Sequence, residues 1–377
     1  DEGLIAQTTP SAPLSAEVAT LRVGRSETRG AGVGADGNSV NTLRLVSLDT
    51  PPRTSTEDFD RNSPFAVAPA DDGGAFAVYR PFGAGCDFVM CRFGDCVGGG
   101  LCAADDASIG DAVSGPSMVV SGSFVFAAWL DVDEDPNGAC ASGVTSEVTL
   151  AMGRTNVTPA GRPRAIVSLG TATPVARPVL LPSRSVAAAG DALALTVLGA
   201  DVVLYRISDM ADTLEVREIG RHTFAADVSR LGAASLRVDA ERPELGLVVG
   251  VAATVGCGGQ NDAFFSSFRV TDTSVESSED EPLSDPANVA VGVAIGATQQ
   301  PPLFHAGWTV EGANEVRLRR YGLDGVGSRS VDDLTPDSVV DGNFRFDFAP
   351  EGSRLRLWLR EPLNSAPIEE VLISCAE

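Results

Sequence analysis

The sequence contains no lysine: all 28 basic residues are arginine, set against 51 aspartates and glutamates for a formal net charge of −23. A surface of that sign repels a phosphate backbone, which disfavours nucleic acid as a partner. The missing lysine is read as a bias of GC-rich coding rather than as a functional signal. Histidine is nearly as scarce, at two residues, His222 and His305, and no Gly-x-Ser-x-Gly elbow surrounds any serine, so a Ser/His/Asp hydrolase has little to stand on. Long apolar runs are missing too. The most apolar stretch, Leu245 to Cys257, has 13 residues and contains Gly246, Gly250 and Thr254, whereas a helical membrane span takes roughly 20. Long 3.6-residue periodicities are absent, which excludes a helical protein. The opening residues Asp1-Glu2-Gly3 include neither an initiating Met nor a charged and apolar leader, as expected of an exported chain whose signal peptide has been removed.

Among what is present, seven cysteines come first: Cys86, Cys91, Cys96, Cys102, Cys140, Cys257 and Cys375. They form no Cys-x-x-Cys pair and both histidines lie far from them in sequence, so disulfides are expected rather than zinc. If Asp87 to Phe93 is a strand, Cys86 and Cys91 stand about 16 Å apart, too far to bridge each other. Cys91 or Cys96 reaches Cys102 across Gly98-Gly99-Gly100. Cys86 and Cys140 occupy the same place in consecutive repeats, which would join neighbouring units. An odd total leaves at least one thiol free or paired outside this chain.

Those repeats are the strongest signal. A strand-like run ends in Arg, and Asp follows a few residues later: Arg92-Phe-Gly-Asp95, Arg206-Ile-Ser-Asp209, Arg269-Val-Thr-Asp272, Arg320-Tyr-Gly-Leu-Asp324 and, more loosely, Arg44-Leu-Val-Ser-Leu-Asp49. Using the arginine as a ruler gives positions 44, 92, 154, 206, 269 and 319, with a seventh equivalent near Ser374. The spacing is that of propeller blades with loops. Within the units, residues alternate with period two, as at Leu355, Leu357 and Leu359 against Arg354, Arg356, Trp358 and Arg360, and Pro or Gly punctuates the gaps. Sandwich domains need about 100 residues each, twice this repeat.

These features predict an all-β chain: a single seven-bladed β-propeller domain over residues 1–377, of four-stranded antiparallel blades, with six or eight blades as the alternative count. The approximate units are 10–55, 63–112, 115–172, 176–228, 230–284, 286–338, and 339–377 completed by 3–9. The last unit shows three strands, Val339 to Phe348, Arg354 to Arg360 and Ile368 to Cys375. The apolar segment Gly3 to Gln7 is therefore expected to supply its fourth and close the ring.

The pattern of apolar-Val-Ala, a Gly turn, a run ending in Val-x-Trp or Ala-x-Trp, a variable loop, then Val-x-x-Arg and an Asp-Gly turn resembles a repeat of secreted and surface β-propeller proteins of GC-rich bacteria, myxobacteria among them. It covers residues 10 to 377. Trp129, Trp308 and Trp358 match its Trp position, Tyr79 substitutes there and Val197 weakens the match. The resemblance implies a propeller and is nearly silent on activity.

Chemistry has few footholds. Asp131, Asp133, Asp135 and Asn137 place oxygen ligands at alternate positions before Gly138, the arrangement a hard cation such as calcium uses; Pro136 and the lack of a downstream bidentate Glu exclude an EF-hand. The plainer reading is a solvated acidic loop. Apart from this structural calcium, no cofactor is called for. Glu276 to Asp285 is expected to be a mobile acidic connection between units, and His305, in an apolar run, a hydrogen-bonded interior residue. Tyr79, Tyr205 and Tyr321 read as packing residues. The recurring Arg and Asp read as blade punctuation, with Asp capping the turn, because a ligand site would need one or two copies rather than one per unit.

The function expected from all this is an exported binding or assembly module at a cell surface or in an extracellular structure. Its partner would be a protein or a polysaccharide, with no nucleic acid and no membrane insertion, and an intermolecular disulfide would serve assembly. The alternative is a propeller glycosidase or lyase working at the central channel. Such chemistry needs two carboxylates a few Å apart, and nothing singles out a pair among 51.

Overall fold

The structure, a computed structural model, describes the paired strands of residues 4–375; side chains are described chiefly within 116–129, 176–183, 191–209, 214–239, 245–256, 261–285, 289–298, 301–311 and 316–327. No α-helix occurs among the described residues. The first strand, β1 (Leu4–Pro10), pairs with the last one in the chain. The described strands form seven antiparallel sheets, the last of which contains that pair. Sheet I comprises β2 (Val18–Arg25), β3 (Gly30–Asp36), β4 (Thr42–Ser47) and β5 (Thr54–Asp58). Sheet II comprises β6 (Ala66–Pro69), β7 (Ala75–Tyr79), β8 (Asp87–Phe93) and β9 (Ser108–Asp111). Sheet III holds β10 (Ser117–Ser121), β11 (Phe124–Asp131), β12 (Ser146–Arg154) and β13 (Ile166–Ala172). Sheet IV holds β14 (Val179–Pro182), β15 (Ala192–Leu198), β16 (Asp201–Asp209) and β17 (Leu214–Thr223). Sheet V follows with β18 (Val228–Arg237), β19 (Leu247–Cys257), β20 (Gln260–Val270), β21 (Val275–Ser277) and β22 (Glu281–Pro282). In sheet VI are β23 (Ala290–Gln299), β24 (Pro302–Val310), β25 (Val316–Tyr321) and β26 (Asp332–Leu334). Sheet VII contains β27 (Arg345–Glu351), β28 (Arg354–Arg360), β29 (Glu369–Cys375) and β1.

The first strands of the sheets are neighbours in a closed cycle, β2, β6, β10, β14, β18, β23, β27 and back to β2. Antiparallel sheets standing radially in that order make a β-propeller. Each ruler arginine, from Arg44 to Arg319, lies in the third strand of its sheet, and Tyr79, Trp129, Val197, Trp308 and Trp358 all lie in second strands. The antiparallel register of β1 with β29, Leu4 opposite Cys375 through Pro10 opposite Glu369, joins the two ends of the chain in one sheet.

β19 shows why the Leu245 to Cys257 run is so apolar. Leu247, Val249, Val251, Ala253 and Val255 pack toward sheet IV, while Val248 and Ala252 pack toward sheet VI. A strand sandwiched on both faces has no solvent side on which to place polar residues, so alternation gives way to a continuous run. The strand enters through Gly246 at φ 90°, where a Cβ would stand 2.1 Å from the Val270 carbonyl oxygen, so only glycine fits.

Strand β27 corrects one boundary. The strand expected to end at Phe348 runs on through Ala349 and Pro350 to Glu351. Proline is tolerated there because a first strand is an edge of its own sheet, with one side free of ladder hydrogen bonds.

Candidate functional site

The first strands line the axis of the ring, where a propeller would place a channel site. Six of them, β2, β6, β10, β14, β18 and β23, contain no Asp or Glu, and the acidic residues Asp347 and Glu351 are confined to β27. In β18 and β23 the backbones come close enough that a Cβ on Gly232 would sit 3.3 Å from the Ala294 Cα. Small residues there let these two first strands press together.

Polar geometry concentrates instead at the rim of sheets IV, V and VI, around the acidic segment 275–285. This segment is not the mobile connection expected from its charge. β21 extends the sheet along Phe268 to Val270, and β22 pairs with Phe264 and Phe265. The Ser278 N–H donates to the Ser267 carbonyl at 2.8 Å, the Ser267 N–H donates to Ser278 Oγ at 2.9 Å, and the Leu283 N–H donates to the Ala263 carbonyl at 2.8 Å. Leu283 and Ser284 are buried. The segment seals the outer edge of β20, which would otherwise present unpaired backbone groups. Val275, Pro282 and Leu283, apolar residues set into the acidic run, were the available signal; the charge density obscured it.

From this strap two side chains reach opposite ways. Asp280 Oδ1 hydrogen-bonds His222 Nε2 of β17, across to sheet IV. The imidazole lies edge-on to Phe224, with centroids 4.7 Å apart, and to Phe268, at 6.4 Å. Toward sheet VI, Glu281 Oε1 pairs with Arg319 Nη2 at 2.8 Å, Glu281 Oε2 accepts the Gly327 N–H at 3.3 Å, and Arg319 Nη1 donates to the Pro282 carbonyl at 3.2 Å. The Arg319 guanidinium also stands 5.7 Å from the centroid of the Tyr321 ring, and Tyr321 stacks on Phe265 at 3.8 Å with planes 11° apart. Burial pushes the Tyr321 phenol well above its ordinary range. Gly220 of β17 makes the approach of sheets IV and V possible, since a Cβ there would be 2.7 Å from Val275 Cγ1.

Beside this, on the face of sheet IV, Arg221 holds Glu218 through two hydrogen bonds, 3.1 Å from Nε and 3.0 Å from Nη2, and reaches Asp201 through Nη1. The Thr223 hydroxyl donates to the other Asp201 oxygen at 2.6 Å. That hydroxyl first, and Arg221 after it, hold the Asp201 carboxyl below the usual carboxylate range. Every one of these charges already has a protein partner, so the rim cluster acts as cross-bracing. No hydroxyl or thiol nucleophile hydrogen-bonds His222 among the described residues.

Of the residues singled out in the sequence, Tyr321 is confirmed as a packing residue. Asp324 caps its turn by accepting the Val326 N–H at 3.0 Å, as the punctuation reading expects. Arg206 lies 3.9 Å from Glu215 on the adjacent strand. His305 is interior, at 1% exposure, but neither ring nitrogen has a hydrogen-bond partner among the described residues. The expected partner is missing because its cross-strand neighbours are Gly296, which has no side chain, and Arg320, which cannot accept a hydrogen bond. Burial first, and the Arg320 charge second, lower the His305 pKa to about 4. Asp133, Asp135, Asn137, Cys86, Cys96, Cys102 and Cys140 lie outside the described residues; for Asp131, in β11, and Cys91, in β8, only the backbone is described.

No protein-family model and no curated protein matches this sequence. Among solved structures, the chain is similar to a lectin from Aleuria aurantia in complex with a fucosylated N-acetylglucosamine, at 9% identity and TM-score 0.48, covering 87% of this chain and 99% of the other. It is also similar to the WD40 domain of SCAP from fission yeast, at 10% identity and TM-score 0.49, covering 99% and 94%. A protein from Lactobacillus plantarum shows 12% identity and a TM-score of 0.47 over 89% of this chain and 91% of its own.

Proposed function

We propose that this chain is a single, exported, seven-bladed propeller that binds or assembles and does not catalyse, at the cell surface or in an extracellular structure. The observation that carries this reading is the composition of the first strands. Six of the seven supply no carboxylate to the axis, whereas glycosidase chemistry needs two facing carboxylates within about 5 to 10 Å. The units resemble one another in their strands and differ in their loops, so partner recognition belongs to the loops, which a rigid ring displays together. A polysaccharide or a protein is the partner of this reading. Calcium in the loop of Asp131, Asp133, Asp135 and Asn137, and disulfides among Cys86, Cys91, Cys96, Cys102 and Cys140, would stiffen the two loop regions where the units differ most.

The test is a polysaccharide array read twice, once for retained protein and once for released reducing ends or unsaturated products. Retention without turnover is the expected result for a polysaccharide partner. Turnover that survives repurification would replace this reading with the glycosidase or lyase. For calcium, excess chelator is expected to lower the melting temperature, and an unchanged value removes the proposal.

A further inference from the structure

The two faces of β24 differ in a way the binding role does not use. Phe304, Ala306, Trp308 and Val310 pack toward sheet V. The intervening residues His305, Gly307 and Thr309 therefore look the other way, toward sheet VII, together with their cross-strand partners Gly292, Ala294 and Gly296 of β23 and Val316, Leu318 and Arg320 of β25. His305 and Thr309 are buried, at 1% and 0% exposure, and three of their polar atoms, His305 Nδ1, His305 Nε2 and Thr309 Oγ1, have no hydrogen-bond partner among the described residues. Glycine at 292, 296 and 307 keeps the surface around these atoms low. Four residues along a strand put the two Cα atoms about 13 Å apart, too far for a single bridging molecule and suited to a short file of two or three.

We infer that the layer between sheets VI and VII holds a buried hydration site, a short file of internal waters running over Gly307 from His305 to Thr309. A neutral imidazole carries one donor and one acceptor, and a threonine hydroxyl is both, so a file of water satisfies each end in turn. Buried polar atoms in native proteins are almost always satisfied, by ordered water where no protein group reaches them. Burial keeps the imidazole uncharged at neutral pH, so it meets the file with one donor and one acceptor.

A crystal structure of the full chain at about 1.8 Å tests this directly. Ordered solvent within about 3.2 Å of a His305 ring nitrogen and of Thr309 Oγ1 is the expected result. Protein atoms filling that layer, or an ion in it, would overturn the inference. Melting temperatures supply an independent reading. With the site hydrated, His305→Gln, which keeps a donor and an acceptor, stays within about 1 °C of wild type, while His305→Phe falls by about 3 °C or more. If the imidazole is buried dry, His305→Phe equals or exceeds wild type and the hydration site is wrong. Should His305→Phe fail to fold, Thr309→Val gives the same contrast at the other end of the file.

Discussion

The two faces of sheet VI are built from alternate residues of the same strands and obey different rules. Toward sheet V lie Phe304, Trp308 and Tyr321, all within 1% of full burial, with Tyr321 stacked on Phe265. Toward sheet VII lie Gly292, Gly296, Gly307, His305 and Thr309, with Ala294, Val316, Leu318 and Arg320 beside them. The first face is filled by large apolar side chains in close contact, while the second sets buried polar atoms among small and aliphatic ones. Alternation with period two writes both into one stretch, Leu303 to Val310, and the same reading frame carries them. The difference teaches that neighbouring interfaces of a repeat protein need not share chemistry even when their strands share a pattern.

Truncating the apolar face tests the comparison most severely. Trp308→Ala is expected to cost about 3 to 5 kcal/mol in denaturant unfolding, from lost burial and the cavity left behind. A loss below about 1 kcal/mol would mean that this layer is not the packed one. Acid is expected to act on the other face. His305 has its pKa lowered from 6.5 to about 4, so the unfolded chain binds its proton first as pH falls. Stability is therefore full above about pH 6.5, declines between there and about pH 4, and loses on the order of 3 kcal/mol by its lower end. His305→Gln should flatten that part of the pH profile, and a profile identical to wild type would count against the assignment.

Overpacking the first face gives a smaller effect. A Cβ at Gly250 would stand 2.8 Å from Phe304 Cδ1 and 3.0 Å from Ile295 Cδ1, and Gly250→Ala should cost about 1 to 3 kcal/mol as those side chains shift. The smallest effect belongs to the rim. Glu281→Gln removes the charge paired with Arg319, a pair about a quarter exposed on each side, and should cost about 0.5 to 1 kcal/mol, with the difference shrinking in high salt. An effect of several kcal/mol would raise the strap from edge cover to a principal support of sheet VI.

Much of the architecture was legible beforehand because repetition is a local property. Arg44, Arg92, Arg154, Arg206, Arg269 and Arg319 marked third strands and Trp129, Trp308 and Trp358 marked second strands without any knowledge of their neighbours in space. The strap was misread because the partners of Asp280 and Glu281, namely His222 and Arg319, lie 58 and 38 residues away in sequence and belong to other sheets. From the chain alone, an acidic run with serines looks solvated. His305 was placed in the interior correctly, from its apolar neighbours. That its cross-strand partners are a glycine and an arginine is a matter of register.

By itself, then, the sequence determined the kind of strand each segment makes, the number of times the phrase returns and the terminal segment available to pair with the last strand, because alternation, turn residues and spacing act over a few residues. Tertiary structure alone decided which side chains meet: Gly220 against Val275, Asp280 against His222, Glu281 against Arg319, and His305 between Gly296 and Arg320, neither of which has a side chain that can accept its hydrogen bond. Those meetings depend on how adjacent sheets are set side by side, and the distances that settle them, a few tenths of an ångström around a missing Cβ or a ring nitrogen, are fixed only when the whole ring is packed.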